Sequence, residues 1–385
     1  MSNDSAALHA VPREGSNFRF YDNRQKYLMF VNTCSEKWVI AQRVAKELET
    51  LSPQPPALRF FDAGVGDGTV LARVLRSLHR QFERVPFYVA AKEISLEDIR
   101  LTLDKMPDRF LEHPELVLAL TNMPYADAPW LRPADPRAKV AWLEVALEGS
   151  TTAEFERQIL ALQPFLDANW RTRMSPATGR LLPETPAVIV LYRDDRRFLL
   201  DPVIPREGAA RAEFDLVLAS QPFRLRAAVT FKARRVLAPL ARALRPGGRM
   251  LGIHSAGNDP GLEIVQRVWP GEDPFTTSRR MLLDATRDAL GDDAGQFNFD
   301  PLPNSRALFR YEMHTLPEEI GSEATIGTST LLAAWNAATY VAQIDDERLA
   351  QAMSNSGYLD ATRAVLRKHG ELWFSDESYL ISRKG

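Results

Sequence analysis

The sequence predicts an α/β fold in which helices cover both faces of a mostly parallel sheet. Three observations favour this class. From residue 57 onward, short apolar runs typical of buried strands alternate with amphipathic helices. A glycine-rich turn joins the first of these strands to the first of these helices. The chain has 385 residues, 45% of them hydrophobic, which is enough to bury a large core.

Composition and charge argue against several classes of function. The 48 Lys and Arg residues nearly balance 50 Asp and Glu residues, so the net charge of -2 provides no field that attracts nucleic acid. Cys34 is the only cysteine, and the six histidines are not spaced as metal ligands, so we expect neither a disulfide nor a metal. The sequence shows no signal peptide and no long apolar run, which favours a cytoplasmic protein that does not enter a membrane.

The first half of the chain sets up the alternation. Residues 1–56 predict an N-terminal tail and a lid helix, and residues 57–385 predict one large domain. Within that domain, strands are predicted at 58–64, 87–93 and 116–122, with helices after the first two. Strands alternating with helices in this way pair in parallel through right-handed crossovers.

The alternation stops at residues 123–213, which we interpret as an inserted α+β cap over the substrate. A strand is predicted near 138–147, a helix at 152–166, and a hairpin at 187–204 around the turn 193–196. A connection of this length inside a compact domain is usually functional.

The alternation resumes after the insertion. A strand at 214–220 is followed by a helix over 226–244, the turn Arg245-Pro246-Gly247-Gly248, and a strand at 249–255. Helices near 260–290, 329–344 and 346–368, and strands at 307–316 and 372–382, complete the predicted elements.

The glycine-rich turn is the strongest functional signal. Asp62 ends the first strand, and Gly64, Gly66 and Gly68 follow it before the helix. Glycines in this position allow a tight turn and let backbone N–H groups approach a ligand. The dinucleotide fingerprint G-x-G-x-x-G would need glycine at position 69, where this chain has Thr69, so the pattern argues against a nicotinamide cofactor.

Asp62 and the three glycines resemble motif I of the class I methyltransferases that use S-adenosylmethionine. The resemblance implies a seven-stranded, mostly parallel, Rossmann-like methyltransferase sheet and S-adenosylmethionine as cofactor, with S-adenosylhomocysteine as product and no metal. By the same resemblance, Glu93 at the end of the second strand binds the ribose hydroxyls, and Asn122 at the end of the third strand contacts the adenine, where the family more often has Asp.

The predicted strand at 214–220 resembles the fourth strand of the family's sheet, and the methyl acceptor is expected just beyond its end. There Ser220-Gln221-Pro222-Phe223 resembles the [DNS]-P-P-[YF] motif with which amino methyltransferases hold a planar nitrogen, although Gln221 replaces the first proline. A second partial match, Asn122 to Tyr125, follows the third strand. Ser220 and Phe223 are therefore candidate catalytic residues and Gln221 and Pro222 candidate substrate contacts, with a plain strand-to-helix turn as the alternative.

His254 comes after the fifth strand and is a candidate general base, as O- or C-methylation would require. The alternative interpretation is a hydrogen-bonded histidine in a loop. In the aromatic N-terminal segment, Tyr21 and Tyr27 are candidate lid residues over the sulfonium of the cofactor, because aromatic faces attract cations. Packing against the first helix is the alternative for both tyrosines.

The leading functional hypothesis is methylation of a small molecule, with nitrogen as the favoured acceptor. O- or C-methylation through a histidine base is one alternative, and a non-catalytic subunit that binds S-adenosylmethionine beside a partner is another. Aminopropyl transfer on the same fold would need acidic residues after the fourth strand, which residues 220–223 do not provide. The apolar helix around Trp335 is interpreted as core or as the surface of a homodimer.

Overall fold

The computed structural model describes residues 24–175, 181–316 and 326–385. These residues form two compact units. The helical unit consists of the described residues of Met1–Cys34, Asn258–Pro274 and Glu312–Phe374. The sheet unit consists of those of Ser35–Gly257, Phe275–Tyr311 and Ser375–Gly385.

The strands and helices are numbered in chain order. The strands are β1 (Leu58–Asp62), β2 (Phe87–Lys92), β3 (Leu116–Thr121), β4 (Ala141–Leu147), β5 (Thr172–Met174), β6 (Leu181–Pro183), β7 (Ala187–Arg193), β8 (Phe214–Ser220), β9 (Leu244–Ser255), β10 (Phe297–Asp300), β11 (Leu308–Glu312) and β12 (Trp373–Arg383). The helices are α1 (Arg24–Thr33), α2 (Glu36–Leu48), α3 (Thr69–Gln81), α4 (Leu96–Asp104), α5 (Pro107–Glu112), α6 (Thr152–Leu160), α7 (Gln163–Asn169), α8 (Arg197–Leu200), α9 (Val229–Lys232), α10 (Ala238–Arg242), α11 (Pro260–Val268), α12 (Arg279–Leu290), α13 (Asn304–Ala307), α14 (Thr328–Val341), α15 (Asp346–Ala352) and α16 (Gly357–His369).

The main sheet confirms the predicted α/β fold with a mostly parallel, Rossmann-like sheet. Its central order is β3-β2-β1-β8-β9-β12-β10. The pairs from β3 to β9 are all parallel, whereas β12 is antiparallel to both β9 and β10. The chain crosses from β3 to β8 next to β1, so the C-terminal ends of five parallel strands meet at one edge. That edge is where open α/β sheets bind their ligands.

The expectation of seven strands is corrected, because the sheet has ten. The insertion contributes β7 and β4 beyond β3, and β11 pairs with β12. β7 is antiparallel to β3 and parallel to β4. The seven strands predicted outside the insertion are present as β1, β2, β3, β8, β9, β11 and β12, whereas β10 was not predicted and lies at one edge of the sheet.

The predicted hairpin at 187–204 is wrong. Only its first arm is a strand, β7, which is followed by a 3-10 turn (Asp194–Arg196) and by α8. All seven residues of β7 are buried, as expected for a strand paired on both sides inside a sheet. The turn residues include no glycine or asparagine, which two-residue hairpin turns favour.

The two faces of the main sheet carry separate cores because side chains alternate along each strand. Phe60 and Val89 pack with the buried side of α3, including Leu71 and Leu75, as its helical spacing predicts. Phe61 and Val217 face the other way and pack with residues of α10 and α12. Both faces are therefore covered by helices, and the strand ends remain as the place for a site.

The helical unit has its own aromatic interior. Trp335 of α14 stacks on Trp269, with 5.5 Å between the ring centroids, and lies 5.1 Å from the ring of Tyr358. Asn336 donates a hydrogen bond to the carbonyl of Lys26 at 3.0 Å. Both Trp335 and Asn336 are buried, so this helix is core, one of the two predicted alternatives.

Candidate functional site

Five predicted site residues lie at the C-terminal ends of the parallel strands. Asp62 ends β1, Glu93 follows β2, Asn122 follows β3, Ser220 ends β8, and His254 is the penultimate residue of β9. The sheet therefore brings together residues that are far apart in sequence. All five belong to the sheet unit.

The glycine turn after β1 needs glycine for two different reasons. Gly66 and Gly68 adopt left-handed φ angles of +55° and +77°, which side chains rarely tolerate. A Cβ on Gly68 would also lie only 2.8 Å from Cα of Thr102, whose hydroxyl donates to the carbonyl of Gly66 at 2.8 Å. At Gly64, by contrast, a Cβ would meet no described atom within 4 Å. Gly64 therefore borders open space rather than protein.

Glu93 holds this turn through its carboxylate. One oxygen accepts the N–H of Gly66 at 2.9 Å, and the other accepts those of Ile94 at 2.7 Å and Ser95 at 2.9 Å. A carboxylate has about four acceptor positions, so three backbone bonds leave room for a ligand hydroxyl. The side chain is half-buried, which suits both roles.

Asp62 is a buried acid with an unused oxygen. Its Oδ1 accepts the N–H of Gly64 at 3.2 Å, whereas no described residue donates to its Oδ2, which is also buried. The pKa of Asp62 is raised to about 7, chiefly because the side chain is buried and in part because of the charge of Glu93, against the lowering effect of the Gly64 bond. A buried acceptor without a donor is costly unless a ligand supplies one.

Asn122 makes three hydrogen bonds inside the protein. Its amide nitrogen donates to the carbonyls of Asn169 at 3.1 Å and Thr185 at 2.9 Å, and its oxygen accepts the N–H of Ala187 at 2.9 Å. These bonds fasten the insertion to the end of β3. Asn122 thus has a structural role. Its contact with adenine, which the resemblance implies, stays a prediction.

The turn after β8 is shaped by Gln221 rather than by a proline. Gln221 has a φ of +48°, and its N–H donates to the carbonyl of Ile253 at 2.9 Å. Its side-chain nitrogen donates to Ser255 Oγ at 3.0 Å and to Asp376 Oδ1 at 3.2 Å. Hydrogen bonds to β9 and β12 therefore fix a turn that a proline ring stiffens in the related motif.

The two partial motifs meet in the structure. The hydroxyl of Tyr125, from the segment after β3, donates to the carbonyl of Pro222 at 2.8 Å. Phe223 is buried, and its ring centroid lies 5.0 Å from Lys232 Nζ and 6.3 Å from the ring of His254. The aromatic ring of the Ser220–Phe223 motif is therefore packed internally, and Tyr125, from the second partial match, brings another ring to the same turn.

His254 is held by a buried acid. Its Nε2 lies 3.0 Å from Glu377 Oε1 and 3.1 Å from the carbonyl of Thr277, which places the proton on Nε2 in the neutral ring. Arg279 Nη1 binds the other carboxylate oxygen of Glu377 at 2.5 Å. Burial raises the pKa of Glu377, but bonds from His254 and Arg279 outweigh it and hold that pKa at about 2.

With Nε2 of His254 bonded in this way, the other ring nitrogen, Nδ1, is left for a ligand. Nδ1 is buried, and no described residue forms a hydrogen bond with it. It carries the lone pair of the neutral imidazole and could accept a proton.

The two proposed lid tyrosines lie outside the sheet unit or outside the described residues. Tyr21 is in the segment before residue 24, which the structure does not describe. Tyr27 is in the helical unit, where its ring centroid lies 6.1 Å from that of Tyr340. Tyr27 is buried, so it packs within its own unit.

The insertion reaches the strand edge at a second point besides Tyr125. The indole N–H of Trp170 donates to the carbonyl of Glu93 at 2.9 Å, and Trp170 is buried.

Among the described residues, no group of three or more His, Cys, Asp or Glu side chains is arranged to hold a metal ion. In the same part of the chain, no helix meets the length and hydropathy needed to span a bilayer.

Sequence reasoning missed three residues at this edge. Tyr125 appeared only in a motif match on an unexpected strand, and its contact with Pro222 depends on tertiary structure. Glu377 lies in the last strand, more than 100 residues from its partner His254. Lys92 immediately precedes Glu93, and a lysine in a strand gives no sequence signal of burial, yet it is only 9% exposed.

Comparisons with known proteins identify no close relative. No family model and no curated protein matches the sequence. Solved structures that are similar include geranyl diphosphate methyltransferase with GPP and sinefungin, at 10% identity and a TM-score of 0.33 over 89% of this chain and 78% of that one. Another is the [4+2]-cyclase SpnF, at 12% identity and a TM-score of 0.32 over 89% and 80%.

A third similar structure is phosphoethanolamine N-methyltransferase 2 of Haemonchus contortus with S-adenosyl-L-methionine. It has 12% identity and a TM-score of 0.31 over 97% of this chain and 61% of that one. Similarity at this level carries no argument about activity, and the fold assignment rests on the strand order of the sheet.

Proposed function

We propose that the protein transfers a methyl group from S-adenosylmethionine to a small-molecule acceptor and releases S-adenosylhomocysteine. One observation carries the proposal: the carboxylate of Glu93 and the N–H of Gly66 meet at the end of β1 and β2, 2.9 Å apart. An acid that follows the second strand is thereby joined to the glycine turn, at the edge where this kind of sheet binds ligands.

The residues present fit this cofactor. Asp62 offers a buried carboxylate oxygen without a donor, which suits a ligand that carries cationic groups. Gly64 borders open space, and Glu93 keeps acceptor capacity for ribose hydroxyls. Asp62, the turn from Gly64 to Gly68, and Glu93 would hold the cofactor. When bound, its sulfonium makes the transferred methyl group electrophilic.

The protein's own contribution is alignment and exclusion of water. Trp170 and Tyr125 come from the insertion and bond to the carbonyls of Glu93 and Pro222. These contacts support the proposal that residues 123–213 cap the substrate. A capped site suits a small acceptor better than a macromolecule.

Nitrogen is the acceptor atom that we favour. The side-chain oxygen of Ser220 and a backbone carbonyl of the turn correspond to the acceptors with which the related motif holds a planar N–H group, and hydrogen bonds of Gln221 keep the turn in shape. Tyr125 joins these residues through its bond to Pro222 and supplies a ring beside them. With Phe223 packed internally, we propose Tyr125 as the ring that contacts the acceptor.

Proton abstraction by His254 is the second candidate, and the Glu377 bond is the observation that favours it. Glu377 fixes the proton on Nε2 and would stabilise the imidazolium that forms when Nδ1 takes a proton. In O- or C-methylation, His254 would act as the base that removes the proton from the acceptor. The two chemistries therefore differ in which residue, Ser220 or His254, the reaction requires.

Calorimetric titration with S-adenosylmethionine tests the proposal as a whole. We expect saturable binding with a Kd on the order of tens of micromolar or tighter. The absence of binding in that range would overturn the proposal. Binding without any methylated product from a panel of small amines, alcohols and acids would instead favour a non-catalytic subunit.

The paired variants Ser220→Ala and His254→Gln distinguish the two chemistries. If nitrogen is the acceptor, Ser220→Ala should lower kcat/KM by about tenfold or more through loss of one hydrogen bond, while His254→Gln has a small effect. If His254 is a base, His254→Gln should cost about 100-fold or more and Ser220→Ala little. Product formation with the best acceptor of the panel is the measurement, and thermal melts show whether each variant is folded. Equal, small losses in both folded variants would contradict both assignments.

A further inference from the structure

Lys92 is a buried cation at the strand edge that nothing above uses. It is the last residue of β2, directly before Glu93, and its backbone carbonyl accepts the N–H of Val65 in the glycine turn. Only 9% of the residue is exposed. A lysine side chain that is buried to this degree normally has an acceptor or an opposite charge bonded to its ammonium group.

None of the described residues provides a hydrogen-bond acceptor for this ammonium group. Across residues 24–175, 181–316 and 326–385, no atom accepts a hydrogen bond from Lys92 Nζ and no carboxylate pairs with it. Nζ lies over the ring of Tyr125, 4.8 Å from the ring centroid. A cation over an aromatic ring is stabilised only in part, and the three N–H donors stay unused.

The charges around Lys92 do not replace a bonded partner. Burial lowers the pKa of Lys92, and the charge of Glu93 raises it again in part. The carboxylate oxygens of Glu93, however, are bonded to backbone N–H groups of the turn and its following residues. Glu93 therefore contributes a field but no direct pair.

Tyr125 contacts both Lys92 and the turn after β8. Its hydroxyl is fixed on the carbonyl of Pro222, and burial together with the charges of Glu93 and Asp62 raises its pKa. The ring that contacts Lys92 is thus within electrostatic reach of the proposed cofactor acids and bonded to the proposed acceptor turn.

We propose that Lys92 is an anion-binding residue of this site, and that its ammonium pairs with a carboxylate or phosphate group of a ligand lying against Tyr125. The inference rests on the proposed function in one respect, namely that the ligand takes part in methyl transfer. The anionic group has two possible sources: the carboxylate of S-adenosylmethionine, or an acidic group of the methyl acceptor.

Lys92→Met tests the proposal because methionine keeps the length of the side chain and removes its charge. Lys46→Met, at an exposed position of α2, is the matched control, and Lys92→Arg retains the charge. Each protein is titrated in a calorimeter with S-adenosylmethionine and with its decarboxylated analogue. Each is also titrated with acetate and with inorganic phosphate, in the presence and absence of saturating S-adenosylhomocysteine.

Two results would support the proposal and identify the source. If the cofactor carboxylate is the partner, Lys92→Met should bind S-adenosylmethionine about tenfold or more weakly and the decarboxylated analogue as well as wild type does. If the acceptor supplies the anion, Lys92→Met should bind S-adenosylmethionine normally but lose the binding of acetate or phosphate that wild type and Lys46→Met show. In both cases Lys92→Arg should recover part of the loss.

Equal binding of all four ligands by wild type and folded Lys92→Met would overturn the proposal. Removal of an unpaired buried charge should leave the melting temperature unchanged or raise it, so a folded variant is expected. If wild type fails to bind S-adenosylmethionine, the proposed function fails. The acetate and phosphate titrations without S-adenosylhomocysteine then still decide whether Lys92 binds anions.

Discussion

Gly64→Ala should weaken binding of S-adenosylmethionine by at least about tenfold, or 1.4 kcal/mol, without lowering the free energy of unfolding. The new methyl group meets no described atom within 4 Å, and Gly64, unlike Gly66 and Gly68, does not have a left-handed φ. The protein therefore tolerates it. The ligand does not, because the methyl group occupies space that the backbone leaves open beside Asp62. Calorimetry and urea unfolding measure the two quantities.

Gly68→Ala is the control for this prediction. Its Cβ would lie 2.8 Å from Cα of Thr102, in a residue with φ of +77°. Strain and overlap should together lower the free energy of unfolding by about 2–4 kcal/mol. One variant thus loses ligand and keeps its stability, while the other loses stability. Unchanged affinity in Gly64→Ala would place the ligand elsewhere.

The central sheet was predictable because its strands and helices carry complete local signals. The strands β1, β2 and β3 are short apolar runs, and α3 places its apolar residues on one side. Such patterns depend only on which side chains must be buried. They gave the fold class without any information on distant contacts.

The margins of the sheet could not be predicted in the same way. β7 has the apolar run of any buried strand, and its place inside the sheet depends on pairing with β3 and β4. A periodicity argument cannot name those partners, so the second arm of a hairpin was predicted where α8 forms. The insertion became part of the sheet through tertiary pairing.

The candidate site likewise has a part that the sequence predicts and a part that depends on tertiary contacts. Asp62, the glycines and Glu93 follow strands directly, so their places at one edge follow from the strand order. The contacts Tyr125 to Pro222 and His254 to Glu377 join residues about 100 positions apart. The sequence indicated both Tyr125 and Pro222 but not their contact, and it named His254 without its partner Glu377.

Asp62→Asn should produce the largest effect of pH on stability. The pKa of Asp62 is about 7 in the folded protein, against 3.8 for an unperturbed Asp, because burial favours the neutral acid. Its contribution is fully present below pH 3.8 and is lost as pH rises through 7, since the unfolded chain releases the proton freely in this range whereas the folded state must keep it or bury a charge. The loss is on the order of 4 kcal/mol, at 1.36 kcal/mol per pKa unit. Asparagine cannot ionise, so the variant should gain on wild type as pH rises.

The difference between the two proteins is the quantity to measure, because another group opposes Asp62 in the same range. Burial and the neighbouring His79 lower the pKa of His113 to about 4, so His113 contributes stability above pH 6.5 that is lost as pH falls through 4. This opposite slope makes the wild-type curve shallow between pH 4 and 6.5, and it is common to both proteins. Urea unfolding of each without ligand, from pH 4 to 8, therefore isolates Asp62. A difference that stays constant with pH would mean that Asp62 ionises normally and lies in contact with water. In that case its Oδ2 is already hydrated and the edge of the sheet has no buried acceptor reserved for a cationic ligand.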